Sequence, residues 1–186
     1  TLGPRAFVTG IAVDDRQVLA ADWGRLVVVR MDRDGKVLQE LGRADKDKGV
    51  PGLLSPSPHM GVAIGENGLV WVSSPGRHRF EAYNADGNIA RFWGEAGTTL
   101  GSFLGCCNPA DFVMLADGSF ITAEKGIPRI KRYLPDGRLE SVVAAPASFA
   151  DNQKGVAIAA DASGNVLALE RGGKSIKVFA RIAEGT

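Results

Sequence analysis

The sequence predicts an all-β chain of the β-propeller class, built from four-stranded antiparallel blades. Three observations carry this: an excess of glycine, a unit that recurs about every 50 residues, and short runs of alternating polarity between turn residues. Glycine supplies 24 of 186 residues, nearly twice the usual ~7%, and follows no Gly-X-Y period. Such an excess implies many tight turns and therefore many short strands.

The turns give the register. Asp34-Gly35, Asp86-Gly87 and Asp136-Gly137 are spaced 52 and 50 residues apart. An earlier turn, Asn67-Gly68, Asp117-Gly118 and Ser163-Gly164, recurs at 50 and 46 residues. Asp-Gly and Asn-Gly are expected to form two-residue hairpins, with positive φ at both central positions. Between the turns, "LVWVSS", "SFITAE" and "NVLALE" are β-branched or apolar over about six residues, near the usual strand length. "RFEAYN", "RIKRYL" and "SIKVFA" alternate polar and apolar residues, so one face is buried and the other wet. No segment sustains a helical period.

Taken in order, the first unit runs from Gly10 to Gly42, with Asp15-Arg16 where the second has Asn-Gly. The second runs from Gly61 to Gly94 and the third from Ala110 to Ala144, with Asp111 in place of the opening glycine. The fourth, from Gly155, stops before a last strand. The whole chain, 1–186, then reads as one array with blades at about 5–43, 59–94, 108–145 and 153–186, the last incomplete.

The second unit, "GVAIGENGLVWVSSPGRHRFEAYNADGNIARFWG", resembles an NHL repeat. Gly61, Gly68, Gly76, His78, Arg79, Asp86, Gly87, Trp93 and Gly94 match that pattern in order. The segment "GCCNPADFVMLADGSFITAEKGIPRIKRYLPDGRLESVVA" is similar to a group of bacterial NHL-type proteins of uncertain function that share a Cys-Cys-Asn-Pro stretch. The matching residues there are Cys106, Cys107, Asn108, Pro109, Thr122, Glu124, Lys125, Gly126, Arg129, Lys131 and Tyr133. The resemblance implies a ring of about six blades, so the roughly four blades here would be a fragment of a longer propeller, or a protein partner would supply the missing blades. The alternative is a ring closed by "TLGPRAF", residues 1–7, as the outer strand of the fourth unit. An open arc would expose strand edges. The resemblance further implies a bacterial protein of the periplasm or one that is exported.

Charge excludes some functions. The formal net charge is +1, from 22 basic and 21 acidic residues, which gives no global field toward nucleic acid or an anionic surface. Some NHL propellers bind RNA on a basic face, and Arg77, Arg79, Arg91, Arg129, Lys131 and Arg132 are the residues that would build one. No apolar run approaches the ~18 residues of a membrane span. No GxSxG, HExxH, P-loop or Rossmann glycine motif occurs.

Cys106 and Cys107 are the only cysteines, and the other crossings between units, "PHMGVAI" and "NQKGVAI", have none. Three readings stay open: two small apolar residues in a turn, a strained redox disulfide, or two soft ligands for a metal or iron–sulfur centre. The sequence requires no cofactor. A metal or cluster needs about four ligands, and with His59 and His78 the only histidines, the rest would come from another chain. Asn108-Pro109 favours a turn, placing the pair where a propeller chain crosses to the next inner strand, on a face that commonly binds ligands. Candidates for that face are Asn108, Glu124, Lys125, Arg129 and His59. Glu124 beside Lys125 is a weak acid–base pair, because adjacent strand residues point to opposite faces. Asp22 and Glu170 hold the place of Glu124 in other units, which favours a structural task such as accepting backbone N–H groups. Long connections at 42–61 and 94–107 build up one face.

The expected function is a binding or scaffolding module of a larger assembly, with a redox or metal-linked cysteine pair as its sharper form. The alternative is a lyase or hydrolase acting on a small molecule in the central channel. A zinc lyase of NHL type would call for more histidines than this chain has.

Overall fold

A computed structural model describes residues 2–150, 155–170 and 173–181. Its regular structure is strand, apart from three single-turn 3-10 segments among the described residues. The first sheet contains β1 (Val8–Val13), β2 (Gln17–Asp22), β3 (Val27–Asp32) and β4 (Val37–Leu41), hydrogen-bonded in chain order. The second contains β5 (Val62–Ile64), β6 (Val70–Ser74), β7 (Arg79–Tyr83) and β8 (Ile89–Trp93). The third contains β9 (Asp111–Met114), β10 (Phe120–Glu124), β11 (Arg129–Tyr133) and β12 (Leu139–Ala144). β13 (Ala157–Ala160), β14 (Val166–Glu170) and β15 (Ser175–Phe179) make the fourth. Within these four sheets every strand pairing is antiparallel and between sequence neighbours. The chain is an all-β protein of the β-propeller class, as its repeat predicts. The fourth sheet has three strands among the described residues. Residues 151–154 and 182–186, which the sequence reading assigns to the fourth blade, lie outside the described residues. Residues 2–7 contain no strand.

One turn meets the expectation of a two-residue hairpin: Asn67 and Gly68 both have positive φ, and the Leu69 N–H donates to the Glu66 carbonyl. The other recurring turns correct it. In the segments beginning at Asp32, Asn84, Leu115, Leu134 and Asp161, the glycine at the fourth position donates its N–H to the carbonyl of the first, at 2.9–3.1 Å. The first residue donates in turn to the carbonyl of the fifth. Only Gly35, Gly87, Gly118, Gly137 and Gly164 have positive φ there, and the preceding Asp or Ser does not. These are three-residue loops, a type I turn followed by a left-handed glycine, and not two-residue hairpins. The side chain of the first residue decides the matter in several of them: Asp32 Oδ1 accepts from the N–H of both Asp34 and Lys36, and Asp161 Oδ1 from Ser163 and Asn165. The extra residue shifts the register between Arg30 and Met31, Ala82 and Tyr83, and Arg132 and Tyr133.

Backbone contacts divide the chain into two units, one through Ala110 and one from Asp111. In the first, Leu19, Val28, Leu41, Val62, Val72 and Tyr83 share a buried core between the first two sheets. The inner strands approach so closely that a Cβ at Gly10 would lie 3.0 Å from the Met60 carbonyl oxygen and 3.2 Å from Gly61 Cα. In the second unit, Ile121, Ile130, Phe149, Val156, Val166 and Ala168 form the core. Asp111 stands where the other units have glycine. Its Oδ2 accepts the Ile158 N–H at 2.9 Å, stitching β9 to the next inner strand.

Candidate functional site

The last residue of each second strand is a buried polar group: Asp22, Ser74, Glu124 and Glu170. Three of them accept backbone N–H groups from a preceding connection. Asp22 Oδ1 takes Phe7 N–H at 2.8 Å, Ser74 Oγ takes Leu54 N–H at 3.2 Å, and Glu170 Oε1 takes Ala150 N–H. Burial alone would raise the Asp22 carboxyl, but the Phe7 N–H and the Arg25 guanidinium outweigh it and hold it below the usual carboxylate range.

Glu124 is spent differently. Its carboxylate meets Arg129 Nη2 at 2.7 Å and Lys131 Nζ at 2.6 Å, both from β11. Lys125, its chain neighbour, is half-buried, and a Cβ at Gly155 would lie 3.0 Å from the Lys125 Cβ. Lys131 is fully buried; burial lowers its pKa, with Glu124 opposing that shift. At the same strand position in the second sheet, Glu81 binds Arg79 at 2.8 Å and accepts from Tyr83 Oη at 2.5 Å. Burial, then the Glu81 charge, raises Tyr83 well above its usual pKa. These groups are structural ion sets inside their sheets. The other basic candidates are engaged too: Arg77 donates to the Pro51 and Gly52 carbonyls, Arg91 lies over Trp71, and Arg132 pairs with Asp117 and Glu140. A phosphate backbone would have to compete with each of these partners.

The cysteines sit in the long crossing 94–110 of the first unit. Phe103 anchors it: fully buried, it packs on Phe80 and Trp93 with ring centroids 5.9 and 6.2 Å away. The chain then surfaces at Leu104, Gly105 and Cys106 and dives again at Cys107, Asn108 and Pro109. The boundary between solvent and interior passes between the two cysteines. Both are thiols, Cys106 exposed and Cys107 buried, with their sulfurs 3.3 Å apart. Asn108 Nδ2 closes the loop on the Leu104 carbonyl at 2.6 Å, and the Asn108-Pro109 peptide is cis. His78 Nε2 lies 2.8 Å from the Gly105 carbonyl oxygen. A carbonyl only accepts, so Nε2 carries the proton. His59 is half-buried, and its backbone N–H donates to the Ser57 carbonyl. Among the described residues, no three or more His, Cys, Asp or Glu side chains converge as a metal site would require.

The connections around this loop meet at one end of the first unit. Phe7 packs edge-on against Trp23 at 5.7 Å, and Trp23 Nε1 donates to the Ser55 carbonyl. Leu54 covers Gly76, whose turn carries His78 to Gly105. Apolar side chains remain exposed on these connections: Phe7 at 53%, Leu54 at 43%, Leu100 at 49% and Leu104 at 41%. The sequence reading missed them. The signal was present, because Leu53-Leu54, Phe103-Leu104 and Phe149-Ala150 recur at 50 and 46 residues, the spacing of the turns. In each pair the first residue is buried and the second exposed.

The second unit has its own open groove, of about 1300 Å³, lined by Ile121, Leu134, Val142, Val166 and Val178, with the paired charges of Asp117, Arg132 and Glu140 at its rim. It holds no thiol and no histidine.

No family model matches the chain, and no curated protein matches it significantly. Solved structures do. A catalytically inactive virginiamycin B lyase from Staphylococcus aureus, solved with quinupristin, is similar over 97% of this chain and 58% of its own, with TM-score 0.63 and 15% identity. A chain of a nidogen/laminin complex is similar over 96% of this chain and 66% of its own, with TM-score 0.62 and 20% identity. The computationally designed Ika4 protein matches over 96% and 93%, with TM-score 0.59 and 10% identity. These likenesses share the propeller fold. The chain spans less than two thirds of the first two of these chains.

Proposed function

We propose that the chain is a binding or scaffolding propeller module of NHL type, and that it docks a protein partner through the end of its first unit that carries the cysteine loop. The observation that carries this reading is the set of exposed apolar residues Phe7, Leu54 and Leu104, presented by connections that are themselves anchored by buried neighbours and side-chain hydrogen bonds. Apolar groups held out on fixed supports lose little conformational entropy on docking, and clustered exposed apolar surface marks interaction sites. The buried charges supply no competing chemistry, since each described ion set closes on itself. Likeness to a chain in a nidogen/laminin complex supports such a role by fold alone.

The test is site-specific photo-crosslinking in an extract of the native source. A crosslinker at position 54 or 104 should capture the same protein, while one at Arg33, on an exposed turn between β3 and β4, should not. Equal capture at all three positions would overturn the reading. Likeness to virginiamycin B lyase favours a lyase or hydrolase as the second reading. A small-molecule product formed by the purified protein, and lost on His59→Ala or His78→Ala, would support it.

A further inference from the structure

We infer that Cys106 and Cys107 form a thiol–disulfide exchange site whose substrate is a disulfide, with Cys106 as the entering thiol and Cys107 as the resolving one. The inference rests on the loop itself and stands whether or not the surrounding face binds a protein. Its first support is distance. The two sulfurs are 3.3 Å apart, so each lies within direct reach of the other. The second support is asymmetry. Cys106 is exposed and Cys107 is buried, so an incoming disulfide meets Cys106 first. The third is a rigid frame: Asn108 clamps the Leu104 carbonyl and His78 the Gly105 carbonyl, holding the loop on both sides of the solvent boundary. A loop of two buried apolar residues needs none of this, and it would not leave one sulfur outside.

The reaction has two steps and balances. The Cys106 thiolate, its proton released to solvent, attacks one sulfur of R–S–S–R. A Cys106 Sγ–SR bond forms, the S–S bond of the substrate breaks, and RS⁻ leaves and takes up a proton. Cys107 loses its proton to solvent, and its thiolate attacks Cys106 Sγ, forming the Sγ–Sγ bond, breaking the Sγ–SR bond and expelling the second RS⁻, which takes up a proton. Two protein thiols are oxidised by two electrons, and the substrate disulfide is reduced to two thiols. Adjacent α-carbons lie ~3.8 Å apart, short of the ~4.4–6.8 Å that a disulfide ordinarily spans. The product ring is therefore tight and readily reduced by a further thiol, which makes the couple reversible.

The experiment uses the full chain, reduced, freed of reductant and mixed with oxidised glutathione, then quenched with acid and weighed intact. The wild type should pass through one glutathione adduct and end with a loss of two hydrogens, and dithiothreitol should reverse that loss. Cys107→Ser should hold one glutathione on Cys106. Cys106→Ser should form its adduct about tenfold more slowly or worse, because the remaining thiol is buried. A wild type that keeps its adduct, or that retains two alkylatable thiols, overturns the site. Equal rates for the two variants overturn the assignment of the entering thiol. The wild-type measurement stands even if a variant fails to fold.

Discussion

Replacing Glu124 by Gln keeps the shape of the side chain and removes the carboxylate that pairs with both Arg129 and Lys131. The Lys131 side chain is 0% exposed and that of Arg129 is 17% exposed, so Arg129 can turn toward water and Lys131 cannot. Stranding a buried charge costs about 3–5 kcal/mol, and most of that should fall on Lys131. The double variant Glu124→Gln/Lys131→Met removes the stranded cation and should lie within about 1.5 kcal/mol of the wild type, since replacing a whole buried pair is often neutral. A pH series adds a signature. Burial already lowers the Lys131 pKa against the pull of Glu124, and losing Glu124 lowers it further. Between that folded value and the ordinary ~10.4 of lysine, the unfolded chain binds one more proton than the folded chain. Stability of Glu124→Gln should therefore rise with pH, by up to about 1.4 kcal/mol per unit. Urea unfolding followed by tryptophan fluorescence, from about pH 7 to pH 10, measures both effects. A Glu124→Gln protein within about 1 kcal/mol of the wild type, with no alkaline gain, would refute the reasoning.

Three further outcomes follow from the geometry. Phe103→Ala should cost about 3–5 kcal/mol and speed alkylation of Cys107, because Phe103 anchors the crossing that buries it; thermal unfolding and timed alkylation with mass readout check this. Asp111→Ala should cost about 1–3 kcal/mol by stranding the Ile158 N–H, and hydrogen exchange should show faster exchange at that amide in β13. Asp22→Asn should be less stable than the wild type at neutral pH. The folded-state pKa of Asp22 is lowered, so its contribution is full above the ordinary carboxylate pKa, near ~3.9, and is lost as pH falls through the lower folded value. The gap between the two proteins should therefore close in acid titrations below about pH 4.

The strands were legible because their turns are written in the chain. Each glycine of the recurring Asp-Gly and Ser-Gly pairs is the residue that takes a left-handed conformation, and the spacing of these pairs sets the length of each sheet. The turn type was less legible: Asp32 and Asp161 select the longer loop through their side chains, and an Asp-Gly dipeptide alone does not reveal that. The role of Asp22 and Glu170 as acceptors of backbone N–H groups was readable from their recurrence. The partners of Glu124 were not, because Lys131 lies opposite Thr122 and reaches Glu124 along the strand, a contact fixed by register. The connections carry a recurring buried–exposed pair, and its copies at Leu53-Leu54 and Phe103-Leu104 help build the candidate face of the first unit. That period is two residues deep in each copy, too sparse to stand out beside the strands.

The glycine turns have a consequence for how the protein ages. Asp-Gly peptides cyclise to succinimide when the glycine nitrogen attacks the side-chain carbon of the preceding residue, and they reopen largely as isoaspartate. In the turns ending at Gly35, Gly87, Gly118 and Gly137, that nitrogen is already committed to a carbonyl three residues back. Cyclisation must first break the bond that sets the strand register. Peptide mapping of samples aged folded and unfolded should therefore find isoaspartate at these four aspartates chiefly in the unfolded chain. The devices that space the strands also protect the covalent integrity of the backbone.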